Sequence, residues 1–473
     1  MENNKFNEYV NFFRKALSIG QSFDVGERNA VVGGKEVYFY YVDGFLKSDI
    51  MEHMFHMLYR VQEKEMNQRH NAKEFIKYHL PYAQAVAEKN TEKMMKALLS
   101  GLLIMVIDGY SEVIIMDLRT YPVRSVEEPE KEKSLRGPKD GFVETLLFNT
   151  NLIRRRIRDP RLIFELHTVG TASKTDVVIG YVNGLVDEKL LKKVRDKIDA
   201  IHQDTLTVGD QSLVEAIGRA GWLNPFPKVR YTQRPDVVSA HLTEGKLVLL
   251  VDNSPSAVLI PTSIFDFLQD TDDYYFPILT GNYFRLLRIL NMLAVIFLTP
   301  VYLMMAEGDI PVNNRLQFFF PDEKFAMPLF VQFLLLELAI DGLKLASLNT
   351  PSSLGTSLSV VGALILGQFA VDSGWFIPQT ILCMAVLALA GFTQPSIELG
   401  YAIKFMRVLI LIGAAILGIW GAVAAVVINV IILARTKNIV GDCYLYPLIP
   451  FHWGTLRHLI FRTRKHEQVK SRD

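Results

Sequence analysis

Three ionisable residues, Glu337, Asp341 and Lys344, sit inside an otherwise apolar run in the C-terminal third of the chain. Spacings of four and three place them on one face of a helix. In a bilayer each charge costs about 2.5–3.5 kcal/mol at the helix centre, so it must be paired, shallow or water-facing. Their chemistry is therefore electrostatic. It is either an ion vestibule or gate, or charge-to-charge packing against a neighbouring helix or at the headgroups. A second constellation is basic: Arg154, Arg155, Arg156, Arg158 and Arg161 crowd one short stretch, with Arg136 upstream. Such guanidinium density suits anionic lipid headgroups, nucleic-acid phosphates or nearby carboxylates. Asp140, Glu144 and Asp159 lie close by in sequence, which favours internal salt bridges or a subunit contact. No aromatic base-stacking strand accompanies the patch, so nucleic acid is not expected as a partner.

Patterns for catalysis are missing. The sequence has no nucleotide-binding glycine loop, zinc-protease helix or Gly-x-Ser-x-Gly elbow. His53 and His56 are three apart with no evident third ligand, and read as solvated or core histidines. Asp270, Asp272 and Asp273 lack the glycine and terminal glutamate of a calcium loop, and read as a solvated junction. Two cysteines, Cys383 and Cys443, exclude a disulfide framework and a cysteine-rich zinc site. We expect no enzyme, no cofactor and no metal.

The elements that hold these residues divide the chain. Between about 282 and 435 lie five mostly apolar segments, 286–303, 325–348, 358–370, 376–392 and 405–434. Most approach the roughly 20 residues needed to cross a hydrocarbon core of about 30 Å. The 51 basic and 50 acidic residues balance overall, but the membrane third is charge-poor and the rest charge-rich. The polar start, without an apolar leader, places the preceding domain in the cytoplasm. Arg285 and Arg288 before the first segment, and Arg457, Arg462, Arg464, Lys465, Lys470 and Arg472 after the last, put both ends inside. Inside at both ends requires an even number of crossings. The expectation is four spans, with the amphipathic 325–348 in the interface. The alternative is that 398–434, with Gly413, Gly418 and Gly421, bends into two short passes.

Within 355–372 a stripe of small or weakly polar residues recurs every three or four positions: Ser352, Thr356, Ser359, Gly362, Ala363, Gly367 and Ala370. Such stripes let helices pack closely. Around a symmetry axis the same stripe leaves a narrow lumen. Val361 or Leu366 would narrow it to a dewetting gate, and Gln368 and Asp372 would sit at a cation-favouring mouth. Ordinary helix packing remains the alternative. The tail 444–451, then Trp453 and the bases after it, reads as a membrane-surface anchor.

The polar region reads as α/β. An aromatic strand at 37–42 ends in Asp43-Gly44, helices follow at 48–62 and 72–98, and 102–107 with 112–116 form a hairpin around Asp108-Gly109. The order recurs at 177–182, Asn183-Gly184, a helix at 187–201 and a hairpin at 247–260. The fold class is thus an α/β soluble N-terminal region of two related subdomains, followed by an α-helical polytopic membrane domain. The divisions are 1–121, a Pro- and Glu-rich linker 122–133, 134–270, the membrane domain 271–435 and a basic cytoplasmic tail 436–473.

Ser134-Leu135-Arg136-Gly137-Pro138-Lys139-Asp140-Gly141-Phe142, with Leu152-Ile153-Arg154-Arg155-Arg156-Ile157-Arg158-Asp159-Pro160, resembles the A subunits of the spore germination receptor family (GerA type). Ser173-Lys174-Thr175-Asp176 and Gln233-Arg234-Pro235-Asp236 resemble further family blocks, though many subunits have Glu where this chain has Gln233. Asp252-Asn253-Ser254-Pro255, 346–351 and 444–450 look closer to the sporulation branch than to nutrient receptors. The resemblance implies a ring-shaped homo-oligomer, a pentamer by family expectation, in the inner spore membrane. It would release monovalent cations and amplify the signal of germination receptors. Those receptors, a second small membrane protein and membrane lipid would be its partners. A receptor A subunit relaying ligand occupancy is the alternative, and a secondary transporter the next.

Overall fold

A computed structural model describes every residue except 1, 47, 70, 81–83, 120–131, 219–223, 313, 321–326, 350–369 and 463–473. The chain forms two compact units, Met1–Ala220 with Val229–Pro261, and Gly221–Lys228 with Thr262–Asp473.

In the first unit, runs of β-branched and aromatic residues build two antiparallel sheets of five strands each. The first holds β1 (Val25–Val32), β2 (Lys35–Val42), β3 (Ala85–Glu88), β4 (Leu103–Ile107) and β5 (Val113–Met116), ordered β1-β2-β4-β5-β3. The second holds β6 (Leu162–Val169), β7 (Thr175–Val182), β8 (Arg230–Thr232), β9 (Leu247–Val251) and β10 (Ala257–Ile260), ordered β6-β7-β9-β10-β8. Shifting every strand number by five turns one order into the other, so the two subdomains share one topology. Gly33 and Gly34, both at positive φ, close the two-residue turn between β1 and β2, as a primed hairpin turn requires.

Strands β4 and β9 are buried along their whole length, so each sheet is covered on both faces. On one face of the first sheet Val37, Phe39, Leu103 and Met105 pack with α2 (Ser48–Leu58), α3 (Glu63–Asn67) and α4 (Ala72–His79). On the other, Tyr40, Ile104 and Val106 pack with α1 (Glu2–Ala16) and α5 (Thr91–Leu99). In the second sheet α6 (Leu146–Arg156) and α9 (Pro235–Thr243) cover Phe164, Val178, Val248 and Leu250. The remaining helices there are α7 (Glu188–Asp199) and α8 (Gly209–Ile217). Helix α7 shows why such a segment forms. Asp187 caps it by accepting from the Lys189 amide, and Leu190, Leu191, Val194 and Ile198 bury one face.

The second unit is helical. After the single turn α10 (Asp272–Tyr275) come α11 (Ile278–Ala306), α12 (Leu329–Asn349), α13 (Pro378–Phe392), α14 (Ile397–Arg435) and α15 (Trp453–Ile460). Among the described residues α11 and α14 are long and apolar enough to cross a membrane, and α13 is a shorter apolar helix. The expected segment at 358–370 lies outside the described residues.

Helix α14 is a hairpin. Its backbone leaves helical geometry at Leu417 and Gly418, the latter at φ 56°. Beyond the break the chain returns along itself: Asn429 Nδ2 donates to the Met406 carbonyl at 3.1 Å. Gly413 and Gly421 meet backbone to backbone, and a Cβ on either would overlap the other's carbonyl oxygen. The bend at Gly413, Gly418 and Gly421 therefore replaces the single long pass of the four-span expectation. At 1.5 Å per residue the two arms measure about 30 and 26 Å.

Candidate functional site

The charges of α12 find their partners on the first arm of α14. Glu337 accepts from Arg407 Nη2 and, at 3.1 Å, pairs with Lys404 Nζ. Asp341 pairs with the same Lys404. Arg407 Nη1 also donates to the Val295 carbonyl of α11 at 3.2 Å, tying three helices together. The Glu337 and Arg407 side chains are only 9% and 6% exposed. Two carboxylates thus face two cations, and the seam is electrically neutral. Lys344 is held differently, with its ammonium 5.6 Å from the Phe392 ring and 5.8 Å from that of Tyr401. In sequence Lys404 and Arg407 went unnoticed, although two cations three apart in an apolar tract are the complement that buried acids require.

A second charged centre surrounds Asp273. This residue is fully buried, so the solvated reading is corrected for Asp273, whereas Asp270 and Asp272 stay partly exposed. Its carboxylate accepts from Arg285 Nε at 3.3 Å and from Arg288 at 2.9 and 3.2 Å. Its carbonyl accepts from Arg462 Nη1 at 2.8 Å. Desolvation forces this arrangement, because a carboxylate out of water needs both countercharge and hydrogen bonds.

Six of the proposed pore residues, Ser359, Val361, Gly362, Ala363, Leu366 and Gln368, lie outside the described residues. Asp372 ends the single helical turn Ala370–Asp372 and is exposed. The described flanks of this stretch sit at opposite ends of α12. Lys344, near the end of α12, faces Phe392 and Tyr401, whereas Ile377 N donates to Gln332 Oε1, near its start, at 3.1 Å.

In the first unit the arginine motif separates into roles. Arg154 is buried and grips Asp24 with two bonds, Nε to Oδ2 at 2.8 Å and Nη2 to Oδ1 at 2.9 Å. Its Nη1 donates to the Leu162 carbonyl at 3.0 Å, and Phe164 lies 5.2 Å under the guanidinium. Arg156 pairs with Asp140 at 2.5 Å and Arg161 with Asp159 at 2.7 Å. Arg136, Arg155 and Arg158 are exposed. Arg234 is buried too. It donates to Ser134 Oγ at 2.8 Å and the Pro138 carbonyl at 3.1 Å, so two motifs distant in sequence form one structural knot.

One cluster had no sequence signal. Glu165 on β6 accepts from Tyr181 and from Arg195, the latter at 2.8 and 2.5 Å, with His167 beside it. Burial pushes the Glu165 carboxyl up, but bonds from His167, Arg195 and Tyr181 outweigh it and hold it at about 2. His167 is raised in turn, first by Glu165 and further by Asp199 at 3.4 Å. His56 lies 3.7 Å from Glu52, both well exposed, as a solvated histidine would. No group of three or more metal-ligand side chains occurs among the described residues.

Residues 13–473 match the family model described as Bacillus/Clostridium GerA spore germination protein. The chain is 34% identical over 455 residues to stage V sporulation protein AF of Bacillus subtilis (strain 168), covering 96% of this chain and 92% of that one. It is 28% identical over 451 residues to spore germination protein KA of the same organism, covering 94% and 82%. Among solved structures, the N-terminal domain of the A subunit of the Bacillus megaterium spore germinant receptor GerK3 matches at 24% identity and TM-score 0.40. That match covers 54% of this chain and 93% of that one.

Proposed function

Since this chain belongs to the GerA spore germination protein family, we propose that it is a subunit of a homo-oligomeric ion channel that releases monovalent cations during spore germination and amplifies the receptor signal. The observation that supports this most is the placement of the two flanks of 350–369. Lys344 and Ile377, described residues on either side of the small-residue stripe in sequence, lie at opposite ends of α12. We read the two arms of α14 as separate passes, with the basic flanks, the N-terminal domain and the tail on the cytoplasmic side.

The seam on α12 narrows the choice of pore. Glu337 and Asp341 are matched by Lys404 and Arg407 within one protomer, so they brace helices. Ser359, Gly362, Ala363, Leu366 and Val361 are then the lumen candidates, with Gln368 and Asp372 at the mouth. A pentamer is the ring we propose.

The test is single-channel recording on the purified chain in planar bilayers, with its oligomer mass measured. Ser359→Trp or Leu366→Lys should depress conductance at unchanged assembly. Wild-type conductance from both variants would defeat the proposal. The receptor A-subunit reading, supported by the similarity to spore germination protein KA, makes a different forecast. Deleting the gene would then abolish the response to one nutrient, whereas an amplifier would slow the response to all.

A further inference from the structure

The stretch that follows α14 changes character at one residue. Tyr444 is fully buried, with its ring 6.0 Å from Phe226 and 6.3 Å from Phe267. Past Leu445, which is buried too, most large apolar side chains turn outward, with Leu456 the inward exception. Tyr446, Leu448, Ile449, Phe451, Trp453 and Phe461 are between 43% and 63% exposed. A contiguous run of this kind is rare on a water-facing surface and marks a partner or a membrane.

The geometry identifies which. Helix α15 is fastened to the first turns of α11. The Arg462 amide donates to Asn282 Oδ1 at 2.6 Å, and Arg285 Nη1 donates to the Leu459 carbonyl at 3.1 Å. Arg462 also binds the carbonyls of Asp273 and Phe276, at the entrance to α11. Helix α11 then runs on with Leu286, Leu290 and Leu293 exposed along its length, as a lipid-facing helix would. The outward aromatics of the tail therefore share a layer with the start of α11, beside exposed Tyr274 and Tyr283. Aromatic rings with an exposed cation, Arg457, at the end of a spanning helix are the composition of the headgroup region.

We propose that residues 446–461 form an interfacial anchor that lies along the headgroup layer and takes anionic phospholipid at Arg457. The Asp273–Arg285–Arg288–Arg462 cluster holds this anchor at a fixed depth relative to α11. This rests on the reading that α11 spans the bilayer, and the test separates the two.

The full chain is reconstituted in nanodiscs with Trp222, Trp375 and Trp420 replaced by Phe, leaving Trp453 as the reporter. Quenching is compared for phospholipids carrying a nitroxide high or deep on the acyl chain. A companion chain also carries Trp453→Phe and places its reporter in mid-helix by Leu293→Trp. The expected result is stronger quenching of Trp453 by the high label and stronger quenching of the α11 reporter by the deep one. Phosphatidylglycerol bearing the high label should outperform labelled phosphatidylcholine by up to about five-fold, and Arg457→Gln should abolish that preference. Trp453 unquenched by either label, with the α11 reporter quenched deep, means a tail in water or against protein and overturns the anchor alone. Equal quenching by both headgroups overturns the anionic selectivity. An α11 reporter untouched by both labels removes the span and the anchor together.

Discussion

Replacing Arg154 with alanine should destabilise the N-terminal unit by about 3–5 kcal/mol, the cost of stranding one member of a buried ion pair. The structure puts Arg154 at the demanding end of that range. The two side chains are 1% and 0% exposed, so water cannot replace the lost partner. Among the described residues the Asp24 carboxylate would keep the 2.6 Å bond from Ser22 Oγ. The Leu162 carbonyl would lose its 3.0 Å donor as well. Arg154→Lys should rescue little, because one ammonium cannot grip both carboxylate oxygens and a carbonyl in a planar fork. The assay is hydrogen exchange of the full chain in detergent, read on peptides spanning 18–25 and 162–169. A loss of that size should speed exchange there on the order of 10²–10⁴-fold. The double variant Asp24→Leu, Arg154→Met should be milder than Arg154→Ala, since a buried pair is worth little against apolar replacements of similar size. A change below about five-fold in Arg154→Ala, or a double variant as damaged as the sum of its singles, would refute the reasoning.

The seam between α12 and α14 should behave as a matched set. Glu337→Gln leaves Arg407 without its buried countercharge, at about 2.5–3.5 kcal/mol on membrane scales, and should lower the thermal midpoint of the chain in detergent. Glu337→Arg combined with Arg407→Glu should recover most of it, while Lys344→Met, which faces rings, should do little. The Glu165–His167 cluster should give the first unit a bounded pH dependence. Glu165 is held below its ordinary 4.5, so its contribution is complete above that value and fades as pH falls toward about 2. His167 is raised above 6.5, so its contribution is complete below that value and fades as pH rises through the folded value. The stability gap between wild type and His167→Ala, from denaturant titrations of the full chain, should thus be widest between about 4.5 and 6.5. A gap that widens above that window would contradict the assignment.

The repeated fold was legible because its signals are local. Asp43-Gly44, Asp108-Gly109 and Asn183-Gly184 mark turns by their own chemistry, and β4 and β9 stand out as unbroken apolar runs. The edge strands were not. β1 mixes Glu27, Arg28 and Asn29 into its pattern, and β3 interrupts what reads as one helix over 72–98, because an edge strand needs no continuous apolar face. The charged sites were half legible for the same reason. Glu337 announces that a cation must exist, yet Arg407 lies 70 residues away. Arg154 sits among nearby acids that attract the eye, yet its partner Asp24 is 130 residues distant. What selects Asp24 is the topology. The Phe23 amide donates to the Phe164 carbonyl at 3.1 Å and Ser22 Oγ accepts from the Phe164 amide at 3.0 Å, where the chain entering β1 meets the edge strand β6. Two copies of one sheet plan bring their edges together at that point, and there Asp24 meets the guanidinium that neutralises it. The internal salt bridging that the nearby acids suggest is therefore, at Arg154, made with a distant partner and fastens the two halves. Arg136, Arg155 and Arg158, by contrast, face outward.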